Sequence, residues 1–265
     1  MIPGSEARLL LRHLLGCQAA YLAAHGDEEL PAGSAARFAE SVRRRAAGEP
    51  IAYLTGVREF FGREFAVTNA VLIPRPETEL LVELGIAKLQ DTRRFPAPRI
   101  LDMGTGSGCV AVSLALELPE AQVTALDVSP QALQVAQHNA QWHQAALCCV
   151  VSDWFAAVEG QRYDLIVANP PYIPAEDVHL RQGDLRFEPL LALTSGADGL
   201  AAIRQIIAAA ALHLFADGWL LFEHGYDQTE PVRALLETAG FTDIEQHRDL
   251  AGIVRVSGGR RMSAS

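Results

Sequence analysis

Hydrophobic and polar positions along the chain change their period near residue 99. Before it, apolar residues recur at helical spacing in "SEARLLLRHLL", "CQAAYLAAH" and "SAARFAESVRRRAAG". Ser5 and Ser34 are the expected N-caps and Gly48 the expected stop. Two alternating aromatic-rich runs in "VREFFGREFAVT", set around Gly62-Arg63, predict a hairpin. "IPRPETELLVELGIAKLQ" predicts a further helix capped at or near Thr78, and the proline-rich "TRRFPAPR" breaks the chain after it. From Arg99 onward strands and helices alternate. "RILDM", "QVTALD", "ALCCVVS", "YDLIVAN" and "GWLLFEH" read as strands, with helices in "SGCVAVSLALEL", "SPQALQVAQHNAQWH", near 198–212, and in "TEPVRALLETAG". Two last strands near 241–247 and 253–257 have no helix between them and are expected to pair antiparallel.

This alternation predicts an α/β fold with a largely parallel sheet covered on both faces. The expected division is a helical bundle over 1–50, a linker with the hairpin over 51–75, and the α/β domain over 76–265.

Charge and composition narrow the function classes. No apolar run in the 265 residues approaches the roughly 20 needed to span a bilayer. "MIPGSEARLL" lacks a basic region followed by an apolar core, so the expectation is a cytoplasmic protein without a membrane partner. Residues 1–98 carry 12 basic and 12 acidic side chains and residues 99–265 carry 10 and 20, so the net charge of −10 lies in the second part. An acidic domain repels a phosphate backbone, which disfavours nucleic acid as a direct partner. Cys17 and Cys109 are isolated, and the neighbours Cys148 and Cys149 would form a strained disulfide. All four read as buried free thiols, and no spacing of Cys or His predicts a metal site.

The candidate chemistry sits at strand ends. "LDMGTGSG" (101–108) is a glycine-rich turn between the first strand of the sheet and its helix, where open parallel sheets bind ligands. Gly104, Gly106 and Gly108 let the backbone bend sharply and approach a ligand. The helix start behind them receives a carboxylate or phosphate, although a tight turn without a ligand is the plainer reading. Gly106-x-Gly108-x-x-Ala111 fits a relaxed dinucleotide pattern, but Asp102 sits poorly beside a pyrophosphate and suits a cationic ligand. Asp127 ends the second strand of the sheet, placed either to accept two ribose hydroxyls or to cap the next helix. An acid there serves NAD and S-adenosylmethionine equally. Trp154 is placed to lie against an adenine and Asp153 to bond its amine; sealing the sheet edge is the alternative role for the indole.

"VANPPYIP" (167–174) carries the most specific signal. Pro170 forces Asn169 into an extended conformation, and neither Pro170 nor Pro171 donates a hydrogen bond. Sheet pairing therefore ends there while carbonyls stay free. A carboxamide both donates and accepts, so Asn169 and the Pro170 carbonyl can hold a planar amino group by both N–H bonds, with Tyr172 packed over the plane.

"DMGTGSG", the acid of the next strand and "NPPY" resemble the S-adenosylmethionine-dependent methyltransferases of planar nitrogens. "GEPIAYLTGVREFFG" (48–62), "LIPRPETE" (72–79), "NPPYIP", "GDLRFEPLLAL" (183–193) and "FEHG" (222–225) together resemble the HemK/PrmC family of release-factor glutamine methyltransferases over nearly the whole chain. The resemblance implies a seven-stranded Rossmann-like sheet, a small N-terminal helical domain that docks the substrate, and a linking β-hairpin. It implies S-adenosylmethionine as cofactor, held by Gly104, Thr105, Gly106, Ser107, Gly108, Asp127, Trp154 and Asn169. Its substrate is the GGQ glutamine of class-1 peptide-chain release factors, methylated on the side-chain nitrogen. Asn169, Pro170, Pro171 and Tyr172 bind that glutamine, and Asn169, Pro170 and Tyr172 count as catalytic. Arg75 and Glu77 are implied to position the substrate. The rival readings are a nucleic-acid base methyltransferase with the same clamp, which the acidic domain disfavours, and a dinucleotide-dependent oxidoreductase, which leaves NPPY without a role. Arg43-Arg44-Arg45 is either a solvated basic face or part of the docking surface.

Overall fold

The computed structural model describes residues 2–90 and 94–262, so the N-terminal Met and the start of the proline-rich break lie outside the described residues. Helices α1 (Gly4–Leu15), α2 (Ala19–Ala24) and α3 (Ser34–Ala46) open the chain, and α1 packs on α3. The serines are not their caps: Pro3 and Gly33 occupy those positions, and Ser5 and Ser34 are already helical. The fixed φ of Pro3 and the left-handed Gly33 (φ 78°) set the entry by backbone geometry, without a side-chain bond. The basic run on α3 is neutralised within the chain. Arg43 pairs with Glu40, Arg44 with Glu49, and Arg45 with both Glu6 of α1 and Asp184.

Helix α4 (Ile51–Thr55) leads into the hairpin of β1 (Val57–Phe60) and β2 (Arg63–Ala66). Its turn is Phe61-Gly62, one residue earlier than expected. Both have positive φ (51° and 71°), the geometry whose twist suits a two-residue hairpin loop. Ala52, Val67, Val71, Ile73 and Ala132 form a small core that holds the following segment, residues 70–75, in place. The Tyr53 hydroxyl donates to the Val71 carbonyl at 2.7 Å and fixes it further. A 3-10 turn, Pro76–Thr78, then opens α5 (Glu79–Leu89).

The α/β part runs β3 (Arg99–Met103), α6 (Cys109–Glu117), β4 (Gln122–Asp127), α7 (Pro130–Trp142), β5 (Leu147–Val151), β6 (Tyr163–Ala168), α8 (Leu190–Leu193), α9 (Ala201–Ala210), β7 (Leu214–Glu223), α10 (Thr229–Thr238), β8 (Phe241–Arg248) and β9 (Val254–Arg261). The sheet has seven strands in the order β5-β4-β3-β6-β7-β9-β8. β3 to β7 pair in parallel, and β9 is antiparallel to both β7 and β8, as the missing crossover helix requires.

Strand residues alternate between two cores. Ile100, Val123, Leu165, Val167 and Leu221 face α5 and α6, whereas Leu101, Met103, Ile166, Ala168, Leu220 and Phe222 face α9 and α10. Both faces are dry, so β3 and β6 read as continuous apolar runs. Strand order reverses between β3 and β6, which opens a crevice at their carboxyl ends.

The thiols correct one expectation. All four are free, but only Cys109 is buried; Cys17 and Cys149 are half-buried and Cys148 is exposed. β5 is the edge strand of the sheet and is thinly covered, none of its residues being buried. Among the described residues, no helix is long and apolar enough to cross a membrane.

Candidate active site

A cavity of about 480 Å³ fills the crevice, within the range of small-molecule sites. Its walls come from the glycine turn, Asp127, Asp153-Trp154, Asn169, Pro171 and the segment Ala70–Arg75. The structure thus brings the separate sequence motifs to one place.

The glycine turn is tied across two strands. Thr105 N–H donates to the Leu126 carbonyl at 2.8 Å, and Thr105 Oγ1 donates to Asp102 Oδ2 at 2.6 Å. Gly104 and Gly106 have positive φ (68° and 55°), and a Cβ on either would meet nothing within 4 Å. At Gly108 (φ 79°) a Cβ would lie 3.0 Å from Ala136 Cβ, so the third glycine lets α6 pack against α7. Asp102 is buried, which pushes its carboxyl up to about 7; the nearby Asp127 charge adds to this and the Thr105 hydroxyl opposes it.

Asp127 Oδ2 accepts the Gly106 N–H and its Oδ1 the Ser129 N–H, both at 2.9 Å. Burial raises this carboxyl while those two N–H groups pull it down. The cap of α7 is Ser129, whose hydroxyl accepts from Ala132 N–H at 3.2 Å. Trp154 holds a left-handed conformation (φ 47°), unusual for a large side chain. Ser152 Oγ stabilises it by donating to the Trp154 carbonyl at 2.7 Å.

Asn169 follows the last residue of β6 and lines the cavity. Its Nδ2 donates to Thr78 Oγ1 at 3.0 Å. Thr78 Oγ1 donates in turn to Glu223 Oε2 at 2.6 Å, and the Tyr172 hydroxyl donates to Glu223 Oε1 at 3.1 Å. Register explains the meeting: Ala168 pairs with Phe222, so Asn169 and Glu223 are the next residues on neighbouring parallel strands. By alternation both point to the face that α5 covers, where Thr78 stands.

Pro170 and Tyr172 do not line the cavity: Pro170 is buried, and the Tyr172 ring packs into the α9–α10 core with its hydroxyl turned to Glu223. Arg75 lines the cavity and is ion-paired to Glu188, which also accepts the Ile73 N–H at 3.0 Å. Glu77 is exposed and does not line it. Sequence reasoning missed Thr78 as a site residue, taking it only as a cap, and missed Glu223 and Asn139. The fully buried Asn139 of α7 binds both polar groups of Ala66 (2.8 and 3.0 Å) and the Ser107 carbonyl (2.8 Å), tying the hairpin to the glycine turn. A polar residue at an otherwise apolar helix position was the available signal for Asn139. For Glu223 it was an acid ending the apolar run "WLLFE".

An open sheet with this order, a glycine turn after its first strand, an acid ending the next and N-P-P-Y at the switch point define the chain as a methyltransferase. The methyltransferase small domain family matches residues 78–184, and the PrmC N-terminal domain family matches residues 2–56. The release factor glutamine methyltransferase of Bordetella pertussis is 52% identical over 97% of this chain and 95% of its own length. That of Escherichia coli is 44% identical over 97% and 92%. The 16S rRNA N2 G1207 methyltransferase of T. thermophilus, solved with AdoMet and guanosine, shares the fold at 20% identity. Its TM-score is 0.55, covering 77% of this chain and 49% of that one. The chain belongs to the release factor glutamine methyltransferase family.

Proposed function

We propose that the chain transfers a methyl group from S-adenosylmethionine to the side-chain nitrogen of the GGQ glutamine in class-1 peptide-chain release factors. The observation that carries this reading is the placement of Asn169 on the wall of the same cavity as the glycine turn. A donor and a planar amide can therefore be held side by side.

The residues fit the cofactor. Gly104 and Gly106 leave open space along the turn, Asp102 is a buried carboxylate that gains from a cation, and Asp127 keeps lone pairs for a diol. Trp154 offers its indole to the adenine and Asp153 its carboxylate to the exocyclic amine; Asn169 touches cofactor and substrate alike. When bound, S-adenosylmethionine supplies a methyl group on a sulfonium, which leaves as a neutral thioether. An amide nitrogen is a poor nucleophile because its lone pair is delocalised, so the chain's task is orientation and relief of developing positive charge. The Asn169 side-chain oxygen accepts an N–H bond of the glutamine amide and aims its nitrogen along the cavity, while Pro170, buried behind it, stiffens the turn that presents the carboxamide. Pro171 forms the wall beside them. Tyr172 acts from behind, through Glu223, rather than over the amide plane. Arg75 supports the wall through Glu188, and the helices over 1–50 dock the release factor. A glutamine side chain alone offers few atoms, so selectivity for one loop comes from remote contacts.

Incubating the enzyme with methyl-labelled cofactor, an intact class-1 release factor, and RNA or DNA in the same tube tests this reading. Label in the protein and none in the nucleic acid is expected. Label in the nucleic acid overturns it in favour of base methylation.

A further inference from the structure

Asn169 can serve the acceptor amide only one way round. If its Oδ1 faces the cavity it accepts a substrate N–H; if its Nδ2 faces there, two donors confront each other. An isolated carboxamide has little to choose between these orientations. What decides it here lies outside the NPPY motif.

We propose that Thr78 and Glu223 are positioning residues that set the polarity of Asn169, with Glu223 as the fixed end of a one-way hydrogen-bond chain. A carboxylate accepts and cannot donate. Glu223 Oε2 must therefore receive the Thr78 hydroxyl proton across their 2.6 Å contact. Having given its one proton away, Thr78 Oγ1 can only accept from Asn169, so Nδ2 must be the group that faces it, at 3.0 Å. Oδ1 is left turned away from Thr78, and among the described residues it has no hydrogen-bond partner. The second oxygen of Glu223 is occupied by the Tyr172 hydroxyl at 3.1 Å, which ties the fourth residue of NPPY to the same carboxylate. Tyr172 is held from its other end too, since its carbonyl accepts from Gln228 Nε2 at 3.0 Å. Glu223 itself is 2% exposed, so water does not compete for either oxygen. Nothing in the fold's stability calls for a buried carboxylate at the end of an apolar strand, and its desolvation is costly. A gain in orientation at Asn169 accounts for it.

The carboxyl's environment supports the scheme. Burial raises the Glu223 pKa; the Thr78 and Tyr172 hydroxyls and Arg255 of β9 oppose this, and Glu77 adds to it. Only the ionised form enforces one-way polarity. Turnover should therefore fall as pH drops through a carboxyl pKa higher than that of a free glutamate.

The inference rests on the reading of Asn169 as the acceptor clamp, and its test keeps the two apart. Methyl transfer to an intact class-1 release factor is measured for the full-length wild type, Thr78→Val, Thr78→Ser and Glu223→Gln, as kcat and KM across pH. Thr78→Val keeps the shape and removes the hydroxyl, so kcat should fall on the order of 10²-fold with cofactor Kd within about twofold. Thr78→Ser should recover most of the loss. Glu223→Gln can donate as well as accept, so kcat should drop at least about tenfold and the acid limb of the pH profile should vanish. An inactive wild type overturns the underlying reading. An active wild type with an equally active Thr78→Val overturns the inference, as does a Ser variant no better than Val or a Glu223→Gln enzyme that keeps the acid limb. If Glu223→Gln does not fold, the Thr78 pair still decides.

Discussion

The two sides of the cavity are built in different ways. On the cofactor side, Asp102, the glycine turn and Asp127 lie within 26 positions of one another, and their bonds are largely local or to main chain. Thr105 answers Asp102 three residues away, and Asp127 accepts two N–H groups from turns at strand ends. On the acceptor side, the chain of bonds joins Thr78, Asn169, Tyr172 and Glu223, side chain to side chain, across separations of 51 to 145 residues. The first side is a cradle of turn N–H groups and strand-end carboxylates held by short-range bonds. The second is a polarised network whose members matter only together. Damage to the cradle should therefore show in binding, and damage to the network in rate.

The largest effect is expected at Asn169. Asn169→Ala should fold, keep most of its cofactor affinity, and lose on the order of 10²-fold or more in single-turnover rate. A rate within a few-fold of wild type at saturating cofactor would erase the proposed division between the two sides.

Asp127→Ala tests the cradle in the opposite sense. Cofactor affinity should weaken by roughly 1–3 kcal/mol, the cost of leaving hydroxyls without a charged acceptor, while the rate at saturation changes little. Calorimetry reads the first and rapid quench the second; unchanged affinity would remove Asp127 from the site.

Asp102 sharpens the comparison through pH. Its carboxyl is pushed up to about 7 by burial, above its ordinary value. The folded, ligand-free chain therefore prefers the protonated form. Raising pH from the ordinary carboxylate range through 7 costs that chain stability. A cationic ligand prefers the carboxylate, so binding releases a proton and tightens on the order of tenfold between pH 6 and 8. Asp102→Asn should flatten that profile and make the ligand-free protein more stable at pH 8. An equally steep profile in the variant would assign the proton elsewhere.

The smallest effect belongs far from the cavity. Arg45 joins Glu6 to Asp184, and Arg45→Ala should cost about 1 kcal/mol in denaturant midpoint stability with cofactor affinity unaltered. A change in cofactor affinity would mean that the helical region reaches the cradle.

The same contrast explains what could be read from the sequence. The alternation after Arg99 specified the parallel sheet because each strand's apolar run and each helix's period are local signals. The glycine turn and Asp127 were legible for the same reason, as was the amide forced out of the sheet by Pro170. Thr78 looked like a cap because its hydroxyl's partner, Glu223, is 145 residues away. Tyr172 looked like a lid over the amide because nothing local shows that its hydroxyl turns inward. Arg45 read as part of a basic face or docking surface because its acid partners, Glu6 and Asp184, are distant in sequence, whereas Arg43 and Arg44 are answered by the nearby Glu40 and Glu49. The N-caps failed because Pro3 and Gly33 set the helix entry through backbone angles, a contribution that side-chain preferences do not express.

In the proposed mechanism Asn169 orients a glutamine amide for methylation. Tandem mass spectrometry of a class-1 release factor, after incubation with this enzyme and methyl-labelled cofactor, tests it most directly. The expected result is a single methyl on the side-chain nitrogen of the GGQ glutamine, absent when Asn169→Ala replaces the wild type under the same conditions. A methyl on any other residue, or an equal yield from the variant, would contradict it.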